Sequence, residues 1–254
     1  MSSPQLLERR EYKYLVSEAV ATRIRQVAAQ VCQLDENAGP DGTYPIRSLY
    51  LDNSRRDLYW ANTHEAPRRF KARVRCYPDR RGVAFLEIKR RILDVIVKTR
   101  APVDEARWVD LALRPTPEEL GRRAVREFAT ETTRHHLEPA CLVEYDREAW
   151  VSEIDSYGRL TLDGGIRCQE MNDWSLEADP RRWRLVDHPL RTHTQEPIYV
   201  LELKFERRVP GWMWALVQRL DLMRFSFSKY CYSVEALFLP NPSLSGRAGT
   251  RGLR

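Results

Sequence analysis

The sequence predicts a mainly β, α+β fold in which a closed sheet surrounds a charged lumen and helices flank it. Two observations carry that prediction. The stretch 70–77, FKARVRCY, puts Lys71, Arg73 and Arg75 at alternate positions with Ala72, Val74 and Cys76 between them. Successive side chains of a strand point to opposite faces, so three cations share one face and three small apolar groups the other. The same period returns at Glu11-Tyr12-Lys13, Glu87-Ile88-Lys89, Lys98-Thr99-Arg100, Tyr145-Asp146-Arg147, 159–163 (RLTLD) and Glu202-Leu203-Lys204. Cations stacked along one strand repel each other and belong either on a solvated edge or against a polyanion. Their recurrence on many strands, each with bulk on its other face, points to a closed sheet with a charged interior.

Taken in order, residues 10–16 read as a first strand, and Ser17 caps a helix over 18–33 whose apolar stripe is Val20, Ile24, Val27 and Val31. A Gly/Pro loop at 37–43 leads to a strand at 46–51 and a short helical turn at 55–61. The basic strand and a strand at 83–90 form a hairpin across the turn 78–82, and another strand covers 95–103. Thr116-Pro117-Glu118-Glu119 opens a helix reaching about 133: a Thr cap, Pro in the first turn, acids beside the positive helix end. Strands return at 140–150, 160–169 and 198–207, with Asp163-Gly164-Gly165 as a turn or bulge. A helix follows over 212–222, and 225–232 (FSFSKYCY) sets Ser226, Ser228 and Lys229 among aromatics with strand-like alternation. A single domain is expected over 1–239, with the Pro/Gly/Ser/Arg-rich residues 240–254 as a disordered tail.

Composition limits the classes. The chain has 254 residues, 31% charged, with net charge +6. That excess is modest and does not by itself call for nucleic acid; its placement matters more. The five cysteines are scattered without a CxxC pair, which reads as reduced core thiols in a cytoplasmic protein rather than a disulfide framework or zinc site. No secretory leader is visible, and no uncharged apolar run reaches the roughly 18–20 residues of a membrane span. The five histidines lack metal-ligand spacing. Aromatics for base stacking along the charged faces are few, so no specific nucleic-acid partner is expected.

Read in series, Glu11-x-Lys13, Lys71-x-Arg73-x-Arg75-x-Tyr77, Glu87-x-Lys89, Lys98-x-Arg100, Tyr145-x-Arg147, Thr161-x-Asp163, Glu202-x-Lys204 and Ser228-Lys229-Tyr230 resemble the VTC domain of polyphosphate polymerases, over about residues 8–239. That family belongs to the triphosphate tunnel metalloenzymes, whose fold is a closed antiparallel eight-stranded barrel with helices outside. The resemblance implies an ATP:polyphosphate phosphotransferase. Arg73, Arg75, Lys89, Arg147 and Lys229 would be catalytic cations; Lys13, Lys71, Lys98, Tyr145, Lys204 and Ser228 would bind ATP, triphosphate or polyphosphate; Glu202 would hold Mn²⁺ or Mg²⁺. Glu11 and Glu87 would hold lysines in place or assist the metal. Triphosphatases of the superfamily usually begin with ExExK, and here Arg9 stands where the first carboxylate would be, which argues for the polymerase branch. A tunnel triphosphatase and a non-catalytic polyphosphate-binding module stay open as alternatives. So do a surface salt bridge for any single Glu-x-Lys, a core role for Tyr145, and an outward orientation of Lys13 or Lys98 after a one-residue register shift.

Overall fold

The structure, a computed structural model, describes residues 9–93, 95–155, 157–187 and 196–238. The expected tail at 240–254 lies outside the described residues. In chain order the elements are β1 (Arg9–Ser17), α1 (Glu18–Val31), β2 (Cys32–Leu34), β3 (Thr43–Asp52), α2 (Asp57–Thr63), β4 (Arg68–Tyr77), β5 (Arg80–Ile92), β6 (Val95–Asp104), α3 (Trp108–Leu113), α4 (Pro117–Leu120), α5 (Arg123–Arg134), β7 (Glu138–Ser152), β8 (Gly158–Glu170), β9 (Arg184–Leu185), β10 (Ile198–Glu206), α6 (Gly211–Arg219) and α7 (Lys229–Phe238).

Eight strands form one antiparallel sheet in the order β1-β10-β8-β7-β3-β4-β5-β6, with β2 added to β7 and β9 to β8. The strands expected between residues 10 and 207 are all present, but the expected closure is not. Among the described residues β1 and β6 remain edges, and the sheet curls into an open half-barrel. Two features of β6 oppose closure. Pro102 has no N–H to offer a neighbouring strand, and the inner face of β6 carries Lys98 and Arg100, which would be driven against Lys13 of β1. A side-chain contact spans the gap instead, with Lys89 Nζ of β5 3.4 Å from Glu11 Oε2 of β1.

Alternation sorts the two faces as the sequence predicts. The outer face of β3–β6 turns Leu49, Ala72, Val74, Leu86 and Ile88 against Trp108 of α3 and Val125 and Phe128 of α5. The outer face of β1, β8 and β10 packs Tyr14, Leu160, Leu201 and Phe205 on Ile24 of α1 and Met213 of α6. Ser17 caps α1, its Oγ accepting from Val20 N at 3.4 Å. The helix expected over 116–133 is two: Thr116 and Glu119 form a reciprocal capping box on α4, and α5 starts afresh at Arg123. On the inner face, α7 lays Tyr230 and Val234 over Tyr50, Cys141 and Val143 and fills one end of the half-barrel. Residues 225–228 lie outside regular structure and Lys229 opens a helix, contrary to the strand-like reading of 225–232. All five cysteines are buried with free thiols. No helix among the described residues is long and apolar enough to cross a membrane.

Candidate active site

The inner face encloses a cavity of about 560 Å³, and all twelve sequence-selected residues line it. β4 supplies Lys71, Arg73 and Arg75, and β5 and β6 supply Lys89 and Lys98. β7 gives Tyr145 and Arg147, β1 and β10 give Lys13, Glu202 and Lys204, and α7 with its cap gives Lys229 and Ser228. Lys13 and Lys98 therefore face inward. Tyr145 serves both readings left open for it: it belongs to the apolar cluster under α7, and its hydroxyl accepts from Arg75 Nη2 at 3.4 Å.

Strand register creates this convergence. Lys71 sits opposite Lys89, Arg73 opposite Glu87, and Glu87 and Lys89 opposite Arg100 and Lys98. Lys13 faces Glu202, Glu11 faces Lys204, and Arg147 faces Asp163. Ser228 places the last cation. Its Oγ accepts from Cys231 N at 3.2 Å, which makes it the N-cap of α7 and fixes Lys229 as the first helical residue. Lys71 Nζ donates to the same Oγ at 2.8 Å.

Four carboxylates hold these cations together. Glu87, 1% exposed, takes Arg73 at 2.7 Å and Arg75 at 3.9 Å on one oxygen, and Lys98 at 2.7 Å and Arg100 at 3.3 Å on the other. Asp163, fully buried, accepts both Nε and Nη2 of Arg147 at 2.7 Å and Lys229 Nζ at 2.6 Å. Glu202 meets Lys204 at 2.7 Å, Lys13 at 3.1 Å, Lys229 at 3.7 Å and Arg147 at 3.8 Å. Glu11 meets Lys13 at 3.2 Å as well as Lys89. Asp163 escaped the sequence selection. It carries the period of RLTLD, but the two glycines after it read as a turn. The bulge in the β7–β8 register between Glu144 and Asp146 absorbs that irregularity and leaves Asp163 facing inward.

Burial opposes ionisation of Glu202, Glu87 and Asp163, yet the surrounding cations outweigh it and hold all three below the ordinary carboxylate range. For Glu11, burial and Glu202 push upward, and Lys13, Lys89 and Lys204 bring it down to about 2. The lysines divide. Burial weakens Lys13 and Lys229, but Glu202 with Glu11 raises the first and Asp163 with Glu202 raises the second. Lys71 is lowered to about 8 by burial, with Lys13, Lys89 and Arg73 adding repulsion. Lys98 also falls to about 8 through burial and the nearby Arg73 and Arg75, against the pull of Glu87.

Ten cationic side chains and two carboxylates line the cavity wall. Such a site suits a polyanion with several phosphates. No three Asp, Glu, His or Cys side chains among the described residues converge as a ready metal cage. The donor set fits a hard divalent ion that takes most of its ligands from phosphate oxygens and water, with one protein carboxylate. Two carboxylates, Glu11 and Glu202, stand on the wall, and Glu202 has the more buried side chain. Glu202 is kept ionised there, and opposite it in register Thr161 buries a hydroxyl without a hydrogen-bond partner.

Comparison with known proteins places the chain in context. The family model described as the VTC domain matches residues 8–238. No curated protein matches. Among solved structures, a "putative adenylate cyclase" from Bacillus halodurans is similar at 13% identity and TM-score 0.49, covering 86% of this chain and 92% of its own. The PH1819 protein of Pyrococcus horikoshii is similar at 9% identity and TM-score 0.43, covering 87% of this chain and 95% of its own.

Proposed function

This chain belongs to the VTC domain family, and on that premise we propose that it transfers the γ-phosphoryl group of ATP onto the end of a polyphosphate chain. The observation that carries the reading is the cationic cavity on the inner face, with its internal carboxylate counter-ions. Phosphoryl transfer asks mainly for positioning and charge stabilisation, and no protein nucleophile is needed. The bond between the γ-phosphorus and the β-bridging oxygen breaks, a terminal oxygen of the acceptor bonds to that phosphorus, and ADP departs with the electron pair.

The residues divide the work by their chemistry. Arg73 and Arg147 are planar forks hydrogen-bonded to Glu87 and Asp163, and Arg75 is a third that donates to Ser48 and Tyr145, so the three orient phosphate oxygens. Lys89 and Lys229 follow charge as it moves to the leaving oxygen, and Lys13, Lys71, Lys98 and Lys204 hold the remainder of donor and acceptor. Tyr145 and Ser228 contribute hydroxyls. Glu202 would hold Mn²⁺ or Mg²⁺, whose chemistry there would be to offset negative charge on the phosphates. The four carboxylates relieve repulsion in the empty site, and an incoming polyanion takes over that role.

The test is incubation of purified protein with ATP, Mn²⁺ or Mg²⁺ and a short polyphosphate, following ADP, free phosphate and chain length on a gel. Chains lengthening in step with ADP, lost in Arg75→Ala and Glu202→Ala, are expected. Free phosphate without chains would replace the proposal by a triphosphatase. Binding without turnover would leave a polyphosphate-binding module.

A further inference from the structure

We propose that Ser228 is itself a phosphoryl acceptor, with Lys71 as the base that takes its proton, so that a chain begun without a seed starts as a phosphate ester on the protein; the inference rests on the reading of the cavity as an ATP phosphotransferase site. Elongation joins phosphates whose oxygens are already ionised. A serine hydroxyl is a weak nucleophile and needs a base beside it.

Lys71 stands where that base is needed. Its Nζ lies 2.8 Å from Ser228 Oγ, within reach for proton transfer. Lys13, Lys89, Lys98, Lys204 and Lys229 each pair with a carboxylate. Among the described residues Lys71 pairs with none, and its partner is the hydroxyl. The groups that face it are Lys13 of β1, Arg73 of β4, Lys89 of β5 and the Cys231 thiol of α7. Burial and the three cations favour its neutral amine, with Cys231 opposing. A neutral amine receives the hydroxyl proton across the same contact through which an ammonium donates.

Ser228 is held in place for the reaction. Its Oγ accepts from Cys231 N at 3.2 Å as the cap of the ten-residue helix α7. It lines the cavity already described and also a second one of about 520 Å³, which shares Lys13, Lys71 and Lys89 with the first. Arg69, Arg91 and Arg224 line that second space. The hydroxyl therefore sits where two cation-lined spaces meet, with room for a donor on one side and a lengthening chain on the other. The ester formed there is also stabilised, since a phosphate at the first turn of α7 meets the positive helix end and the Lys71 ammonium.

In the step, Ser228 Oγ bonds to the γ-phosphorus of ATP and its proton passes to Lys71 Nζ. The bond between that phosphorus and the β-bridging oxygen breaks, and ADP leaves with the electron pair. Later transfers add to the terminal oxygen of the ester.

The experiment incubates the full chain with γ-labelled ATP and Mg²⁺ and no polyphosphate seed. The protein is then denatured, treated with acid to trim any chain to its first phosphate and to remove phosphate from nitrogen, and mapped by mass spectrometry. Label on Ser228 is expected. It should persist on Ser228→Thr, vanish in Ser228→Ala, and form about a hundredfold more slowly in Lys71→Arg, which keeps the charge but takes no proton. At saturating ATP the labelling rate should rise with pH above 8, and Lys71→Arg should lose that rise. No label, label on another residue such as Ser226, or an unchanged rate in Lys71→Arg would overturn the proposal. Elongation of a seed, followed in parallel, separates it from the polymerase reading. Unaltered protein that elongates a seed and takes no label defeats the ester alone. Label without elongation upholds the ester and defeats the polymerase, and neither product defeats both.

Discussion

Within the cavity, neighbouring lysines behave differently because carboxylates are unevenly shared. Lys13 and Lys229 each touch two carboxylates, whereas Lys71 touches the Ser228 hydroxyl and sits among cations. With Lys71 and Lys98 near 8 in the empty protein, both are partly neutral at pH 8, and a bound polyanion must favour their charged forms. Binding of tripolyphosphate at pH 8 should therefore take up protons, seen as a dependence of calorimetric heat on buffer ionisation enthalpy. Affinity should be full below that pH and decline as pH rises through 8, and Lys71→Arg should flatten the decline. Stability of the empty protein follows the opposite course. The unfolded chain holds these protons up to the ordinary lysine range, so stability rises from about pH 8 towards pH 10. Asp163 gives the complementary case. It is fully buried between Arg147 and Lys229, and Asp163→Asn leaves both cations short of a partner at a cost of about 3–5 kcal/mol, measurable as a lower urea midpoint. The lowered carboxylates Asp163, Glu87 and Glu202 contribute stability that is present above their unfolded values near pH 4 and is lost as pH falls below that.

At the scale of elements, the strands were the legible part and α7 was not. A period of two with charge on one side survives on β1, β4, β5, β6 and β10, since register forces paired positions to share a face, and so the twelve chosen residues meet in one cavity. Residues 225–232 also alternate polar and aromatic, which imitates a strand. Their helical half is decided by Ser228 and by packing of Tyr230 and Val234 on the sheet, a tertiary effect that local pattern does not carry. Ser228 therefore joins helix and site. Ser228→Ala should cost about 1 kcal/mol through the lost cap, visible in thermal melting. It should also weaken tripolyphosphate, because Lys71 loses its hydroxyl partner and Lys229 its fixed start. Ser228→Thr should restore most of both; a variant that melts earlier with unchanged affinity would confine Ser228 to capping.

For the whole molecule, the sheet's closure was the misjudged feature, and the reason lies in what the closing strands carry. A continuous barrel would press the inner cations of β1 and β6 together, and Pro102 removes a donor from the β6 edge. The molecule is built around repulsion that internal carboxylates only partly relieve, with ten cations on the cavity wall. A multivalent anion bound there stabilises the fold twice over, by mass action and by neutralising that wall. At a concentration a hundred times its Kd, tripolyphosphate should stabilise the chain by about 2.7 kcal/mol, a rise of roughly 5–10 °C in melting temperature for a protein of this size. Sodium chloride at equal ionic strength should give a smaller rise, since screening acts mainly on exposed charge and most of this wall is half-buried. Raising the salt at fixed tripolyphosphate should shrink the ligand's effect, as binding through many charges requires. Equal shifts from both salts would mean that the cavity responds to ionic strength alone and holds no polyanion.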